Sequence, residues 1–135
     1  MKQKVAHVID RMGEASSRAQ GLREVITSCR KLNLNDQHRI YLMKDPVANN
    51  GKGSVVGFLK VGEKNLFLHD HQGQTHEIMS LCVLDFYVYD NQQRRGYGLK
   101  LFNKMLEMER VLVQHLAVDS PSDKSMRFLK KHYDL

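Results

Sequence analysis

With only two prolines, two cysteines and no long apolar run in 135 residues, the sequence excludes several classes of protein. So little proline, beside 41% hydrophobic and 27% charged residues, is the composition of a soluble globular chain, not a disordered or collagen-like one. No stretch approaches the roughly 18 consecutive apolar residues of a membrane span. Cys29 and Cys82 form no CxxC pair, so both thiols are expected to be free in a reducing compartment. The opening MKQKVAHVIDRMGEASS is charged and lacks the apolar core of a secretory signal, and a cytoplasmic location is expected. The length fits one domain around one core.

A net charge of +6 implies an anionic partner or ligand. The basic residues cluster at Arg94 and Arg95 and again at Lys124, Arg127, Lys130 and Lys131. No aromatic RNA-binding motif, zinc-finger spacing or basic zipper accompanies them, so no nucleic-acid partner is expected. Nor is a membrane partner, and a monomer is expected.

Val5, Val8, Ile9, Met12, Ala15 and Ala19 recur at helical spacing, predicting an amphipathic helix over 2–20 that Gly21 ends. Leu22, Val25, Ile26 and Cys29 suggest a second helix, closed by the turn-rich LNLND at 32–36. The period then changes. Strands are predicted at 38–44, 54–61, 65–70 and 76–90, with a turn at Gly62, which makes an antiparallel meander. Next come a helix from near Gly98, a short buried strand at 115–119 and a helix over 122–132 that Pro121 and Ser122 introduce. The strands at 76–90 and 115–119 are expected to be parallel neighbours whose ends splay into a crevice.

Between the longest strand and the third helix stands Gln93-Arg94-Arg95-Gly96-Tyr97-Gly98. Unpaired amides and the positive end of a helix dipole meet there, and small glycines admit an anion close to the backbone. A dinucleotide fingerprint requires glycine at 101, which is Leu, and the Gly-Lys-Ser/Thr of a P-loop is absent. Taken alone, the stretch is an anion cradle or a glycine-rich turn with two solvated arginines.

The pattern Q/RxxGxG/A after a long strand resembles the pyrophosphate-binding signature of the GCN5-related N-acetyltransferases. The segments ASSRAQ, GFLKVG, LCVLDFYV, QRRGYG, ERV, AVDSPS and FLKKHYDL extend the likeness over almost the whole chain. In order and spacing they resemble the catalytic domain of the α-tubulin N-acetyltransferases. The resemblance implies an α+β GCN5-related N-acetyltransferase-like fold, a central mixed, mostly antiparallel sheet flanked by helices. It implies a single N-acetyltransferase domain over 1–135, without the N-terminal strand and closing pair of C-terminal strands that family domains usually add.

The activity implied is acetyl transfer from acetyl-CoA to a lysine side chain of α-tubulin, on the luminal face of microtubules, including those of the ciliary axoneme. Cofactor contacts would come from Phe86, Tyr87, Val88, Gln93, Arg94, Arg95, Gly96, Tyr97, Gly98 and Leu99, and across the cofactor from Ser122, Lys124, Ser125, Phe128 and Lys131. Gln20, Cys82 and Asp119 fall on positions the family uses for activity, and Lys64 on one implicated in tubulin contact. Ser120 stands where the family usually has arginine.

A free lysine amine has a pKa near 10.4, so a base or desolvation must remove its proton before it attacks a thioester. Asp119 ends the apolar HLAV, where burial could raise its pKa towards a useful range, although an aspartate there could equally cap the next helix. Cys82 by itself is a small core residue. The resemblance assigns it to the site, where it would assist deprotonation or shape the pocket during direct transfer in a ternary complex. A backbone N–H of the splayed long strand would serve the developing oxyanion. In a regular strand Asp85 and Tyr87 would face away from Cys82. His69, His71 and His76 read as an exposed polar hairpin, and no metal is expected. Two readings remain: an active tubulin acetyltransferase, and a catalytically weak acetyl-CoA- or microtubule-binding module that keeps the fold.

Overall fold

A computed structural model of the chain describes residues 3–35, 37–45, 54–89, 96–112, 116–118 and 123–133. In chain order the elements are α1 (Gln3–Gln20), α2 (Cys29–Leu34), β1 (His38–Asp45), β2 (Ser54–His69), β3 (Thr75–Val88), α3 (Tyr97–Glu109), β4 (Ala117–Val118) and α4 (Asp123–Tyr133). The sheet order is β1-β2-β3-β4. Its first two pairings are antiparallel, and β4 runs parallel to β3, as the alternating final third of the sequence predicts. The α+β class is as expected. Among the described residues no helix is long and apolar enough to cross a membrane.

One side of the sheet carries the main core. Leu59 and Val61 of β2 and Leu81 and Val83 of β3 pack with Leu101, Phe102 and Met105 of α3 and Leu129 of α4. Removing each such side chain from water stabilises the fold by roughly 1.5–3 kcal/mol. α1 lies against the other side, burying Ile9 and Met12.

Three departures from the sequence reading have physical causes. The strands expected at 54–61 and 65–70 are one 16-residue strand, with no turn at Gly62. A Cβ at Gly62 would lie 2.7 Å from the His38 ring and 3.1 Å from Leu84, so this glycine makes room inside the sheet. The second helix begins at Cys29, not near Leu22. α1 ends in a Schellman motif, with Gly21 at φ 68° and the Leu22 amide donating to Ser17 O at 2.9 Å. Residues 22–28 then fold back along α1, held by Ser17 Oγ donating to Glu24 O, and Ser28 caps α2 by accepting from the Lys31 amide.

The third departure reorients a side chain. β2 and β3 pair Lys60 with Asp85 but Val61 with Val83, leaving Leu84 as an extra residue on β3. This β-bulge shifts the alternation by one. Leu81, Val83 and Phe86 therefore face the α3 core, whereas Asp85 joins Cys82 on the α1 side. The regular-strand expectation, with Asp85 opposite Cys82, is corrected.

Candidate active site

α3 begins abruptly. Its N-cap is Gly96, in the left-handed region at φ 81°, and among the described residues no side chain caps the helix. The first turn also carries no acidic residue. The positive end of the helix dipole is thus left for an outside anion. A Cβ at Gly96 would meet nothing within 4 Å, whereas one at Gly98 would lie 3.2 Å from the Phe128 ring and 3.5 Å from that of Phe86. The two glycines do different things: Gly96 makes the turn and stays open, and Gly98 lets aromatic rings approach the helix. Phe86 and Phe128 meet edge to face at 5.2 Å and both contact Phe102, so β3, α3 and α4 are tied together at this corner. Tyr97 donates to Asp45 at 2.9 Å, fixing the first turn of α3 to the end of β1.

On the opposite face lies a buried polar network that the motifs did not announce. Asp85, 4% exposed, accepts from Ser16 Oγ at 2.8 Å, Gln20 Nε2 at 3.0 Å and Thr27 Oγ1 at 2.5 Å. Gln20 Nε2 also donates to Ser16 Oγ at 2.7 Å. Lys60, the cross-strand partner of Asp85, is 5% exposed and donates to Ile26 O at 2.6 Å. Burial lowers the pKa of Lys60 from its ordinary value, and the charge of Asp85 opposes that effect. Gly13 makes the network possible. A Cβ there would sit 1.7 Å from Thr27 O, so only glycine lets residue 27 reach the carboxylate past α1. An aspartate within the apolar LCVLDFYV is the sequence signal for such a site, because a buried carboxylate requires partners. Which face it served depended on the bulge.

Cys82 is 1% exposed, lies on this same face and donates through Sγ to Ser80 O at 3.5 Å. It pairs across the sheet with Ala117, and Val83 with Val118. β4 thus ends one residue before Asp119, which lies outside the described residues, as do Gln93, Arg94, Arg95, Ser120 and Ser122. Lys124 and Ser125 belong to α4, with side chains outside the described set. The structure therefore brings Gln20 and Cys82 to one face and Phe86, Gly98 and Phe128 to one corner. Tyr87 shares the face of Asp85, Val88 ends β3 and Leu99 lies in the first turn of α3. Lys131 is exposed on α4, and Lys64 is exposed on β2 opposite Ser80, away from the corner in sequence and register. His76 pairs with Asp70 at 2.9 Å and His69 with Thr75 at 3.1 Å on the β2–β3 hairpin.

Among the described residues β4 pairs with Cys82 and Val83 of β3, and α3 starts at Gly96 after that strand ends at Val88. A family model described as GNAT acetyltransferase, Mec-17, matches residues 1–135. The chain belongs to the Mec-17 family of GNAT acetyltransferases. It is 48% identical over 143 aligned residues to the α-tubulin N-acetyltransferase of Trichoplax adhaerens, covering all of this chain and 60% of that protein. It is 52% identical over 131 residues to α-tubulin N-acetyltransferase 1 of Danio rerio, covering 97% of this chain and 44% of that one. The chain thus spans about half the length of these curated relatives.

The fold likeness reaches well beyond this family. The structure of an xEco2 acetyltransferase domain bound to a CoA conjugate superposes with a TM-score of 0.63 at 12% identity, covering 100% of this chain and 82% of that one. An aminoglycoside acetyltransferase from an uncultured soil metagenomic sample gives 0.54 at 16% identity, covering 94% and 78%.

Proposed function

We propose that the chain transfers an acetyl group from acetyl-CoA to the side-chain amine of a lysine of α-tubulin in microtubules, by direct transfer in a ternary complex. What supports this most is the start of α3 at Gly96, with no capping side chain among the described residues, following the long strand β3 in a Mec-17 family domain. Acetyl-CoA would supply the activated acyl carbon as a thioester. The pyrophosphate would rest against the α3 N-terminus, with Arg94, Arg95 and Lys131 near its charge, and the pantetheine along Phe86, Tyr87 and Val88. Gln20, Cys82 and Asp119 would meet the acceptor amine. Asp119 takes its proton, Gln20 accepts a hydrogen bond from it, and buried Cys82 shapes the wall beside it. The burial of Cys82, 1% exposed, supports an assisting role over that of a covalent acetyl carrier, since reactive cysteines need access. Lys64, exposed on β2, would contact tubulin, and the net charge of +6 would steer the chain to an acidic surface. The location that follows is cytoskeletal, on microtubules and the ciliary axoneme.

The test is incubation with acetyl-CoA and assembled microtubules, reading acetyl-lysine on α-tubulin, with free tubulin and histone peptides as controls. Accumulation of acetyl-lysine on microtubules is expected. Tight acetyl-CoA binding without any acetyl-lysine would show a binding module that keeps the fold but not the chemistry.

A further inference from the structure

We propose that Asp85 is a positioning residue, which through Ser16 and Thr27 locks the Gln20 amide with its NH2 inward and offers its carbonyl oxygen to the acceptor lysine. The inference rests on the functional reading above and names what selects the orientation of Gln20.

An ionised carboxylate is acceptor-only and the Thr27 hydroxyl points its hydrogen at Oδ2. Ser16 has one hydrogen, which goes to Asp85 Oδ1, so the Ser16 oxygen is an acceptor towards Gln20. The Gln20 NH2 therefore faces two acceptors, the Ser16 oxygen and Asp85 Oδ1. Turning the amide over would set its oxygen 3.0 Å from a carboxylate oxygen, and the Ser16 hydroxyl could serve that oxygen only by giving up Asp85, so a buried acceptor loses out either way. Donor chemistry therefore sets the orientation of the amide, NH2 inward.

The groups behind the amide are buried and bonded. Ser16 and Thr27 are fully buried, and Lys60 ties Ile26 to the sheet one residue away. Among the described residues nothing donates to the Gln20 carbonyl oxygen, and Gln20 is only half-buried at the C-terminal end of α1. An acceptor held outward by a buried carboxylate suits an incoming amine or ammonium, which brings N–H donors. An outward NH2 would repel it.

The decisive experiment swaps the two chemistries. In Gln20→Glu a carboxylate meets a carboxylate, so kcat/KM for the acceptor should fall about a hundredfold or more. In the double variant Gln20→Glu with Asp85→Asn, the new amide can turn its NH2 to residue 20 and Ser16 and its oxygen to Thr27. Every donor again has an acceptor, and activity should recover at least about tenfold over Gln20→Glu alone. Ser16→Ala should lower the thermal midpoint, because buried Asp85 loses a donor, and should cost about tenfold in kcat/KM for the acceptor per folded molecule, with acetyl-CoA affinity close to wild type. A double variant no better than Gln20→Glu, with the wild-type chain active, overturns this inference alone. So does a Ser16→Ala loss that falls equally on acetyl-CoA affinity. A wild-type chain that makes no acetyl-lysine overturns the functional reading, and this inference with it.

Discussion

The two faces of the sheet use polar residues in opposite ways. On the α3 face the centre is apolar, and the charged groups stand at its rim, where Arg39 of β1 reaches Glu63 of β2 and Glu109 of α3. On the α1 face the polar groups lie near the centre: Asp85, Ser16 and Thr27 are buried, with Cys82 and Lys60 beside them. At that rim Arg39 and Glu63 are each 36% exposed and screened by solvent, while the more buried Glu109, 11% exposed, is matched by Arg39 and the Tyr41 hydroxyl. Buried polar groups are costly unless fully satisfied, and a chain tolerates that cost where it keeps side chains in fixed orientation. The α3 face thus carries the main apolar core, and the α1 face carries the residues proposed to act.

That division predicts that chemistry and stability separate by face. The largest effect is expected from Asp119→Asn, proposed as the base. Turnover should fall about 10²–10⁴-fold while acetyl-CoA affinity and the unfolding midpoint hold. Steady-state kinetics beside calorimetric binding would check it, and unaltered turnover would remove Asp119 as base. Next is Phe102→Ala on the other face. Phe102 is 1% exposed and touches Phe86, Phe128 and Tyr133, so truncation should cost about 3–5 kcal/mol in urea unfolding. Because Phe86 and Phe128 lose a neighbour, cofactor affinity should weaken too, whereas an equal loss of stability from truncating the exposed Phe67 would contradict the comparison.

Gly96→Val sits between the two. The left-handed φ of 81° should cost about 1–2 kcal/mol for a branched side chain, and the added bulk should weaken acetyl-CoA binding. Unchanged affinity would discredit the helix start as the phosphate site. That corner was legible in the sequence because its signals are local: a long apolar strand, two glycines two apart and then a helical period. The rest was harder for a common reason. Gly62 inside a strand and a glycine in a turn look alike until His38 and Leu84 are seen to crowd it. Leu22, Val25 and Ile26 have helical spacing, yet the stretch packs back along α1 because Gly21 stops that helix and Ser28 starts the next. Asp85 turned to the α1 face because β2 and β3 pair with an offset at Leu84, a fact held by two strands jointly and by neither alone. Of the candidate catalytic set, the match of Gln20 and Cys82 to a family was readable. Their shared face was not.

The smallest effect should come from the rim. Glu109 lies in the last turn of α3, where the helix dipole disfavours a negative charge, and its placement is explained by Arg39, which donates to both carboxylate oxygens, and by the Tyr41 hydroxyl. The Arg39 bond, aided by Tyr41 and opposed by burial, holds Glu109 below the ordinary carboxylate range. Tyr41, desolvated and bonded to Glu109, is pushed up to about 12. A depressed carboxylate adds stability that is present above its unfolded pKa near 4.3 and lost as pH falls through the lower folded value. Arg39 is 36% exposed, so solvent screens the pair, and Glu109→Gln should cost only about 1 kcal/mol at pH 7. The gap between wild type and variant should narrow below roughly pH 4 and close as Glu109 itself becomes protonated. Urea unfolding at pH 7 and at successively lower pH checks this, with acetyl transfer per folded molecule unchanged. A gap that persists in acid would mean that Glu109 acts through packing, and lost turnover would mean that the rim, like the α1 face, takes part in function.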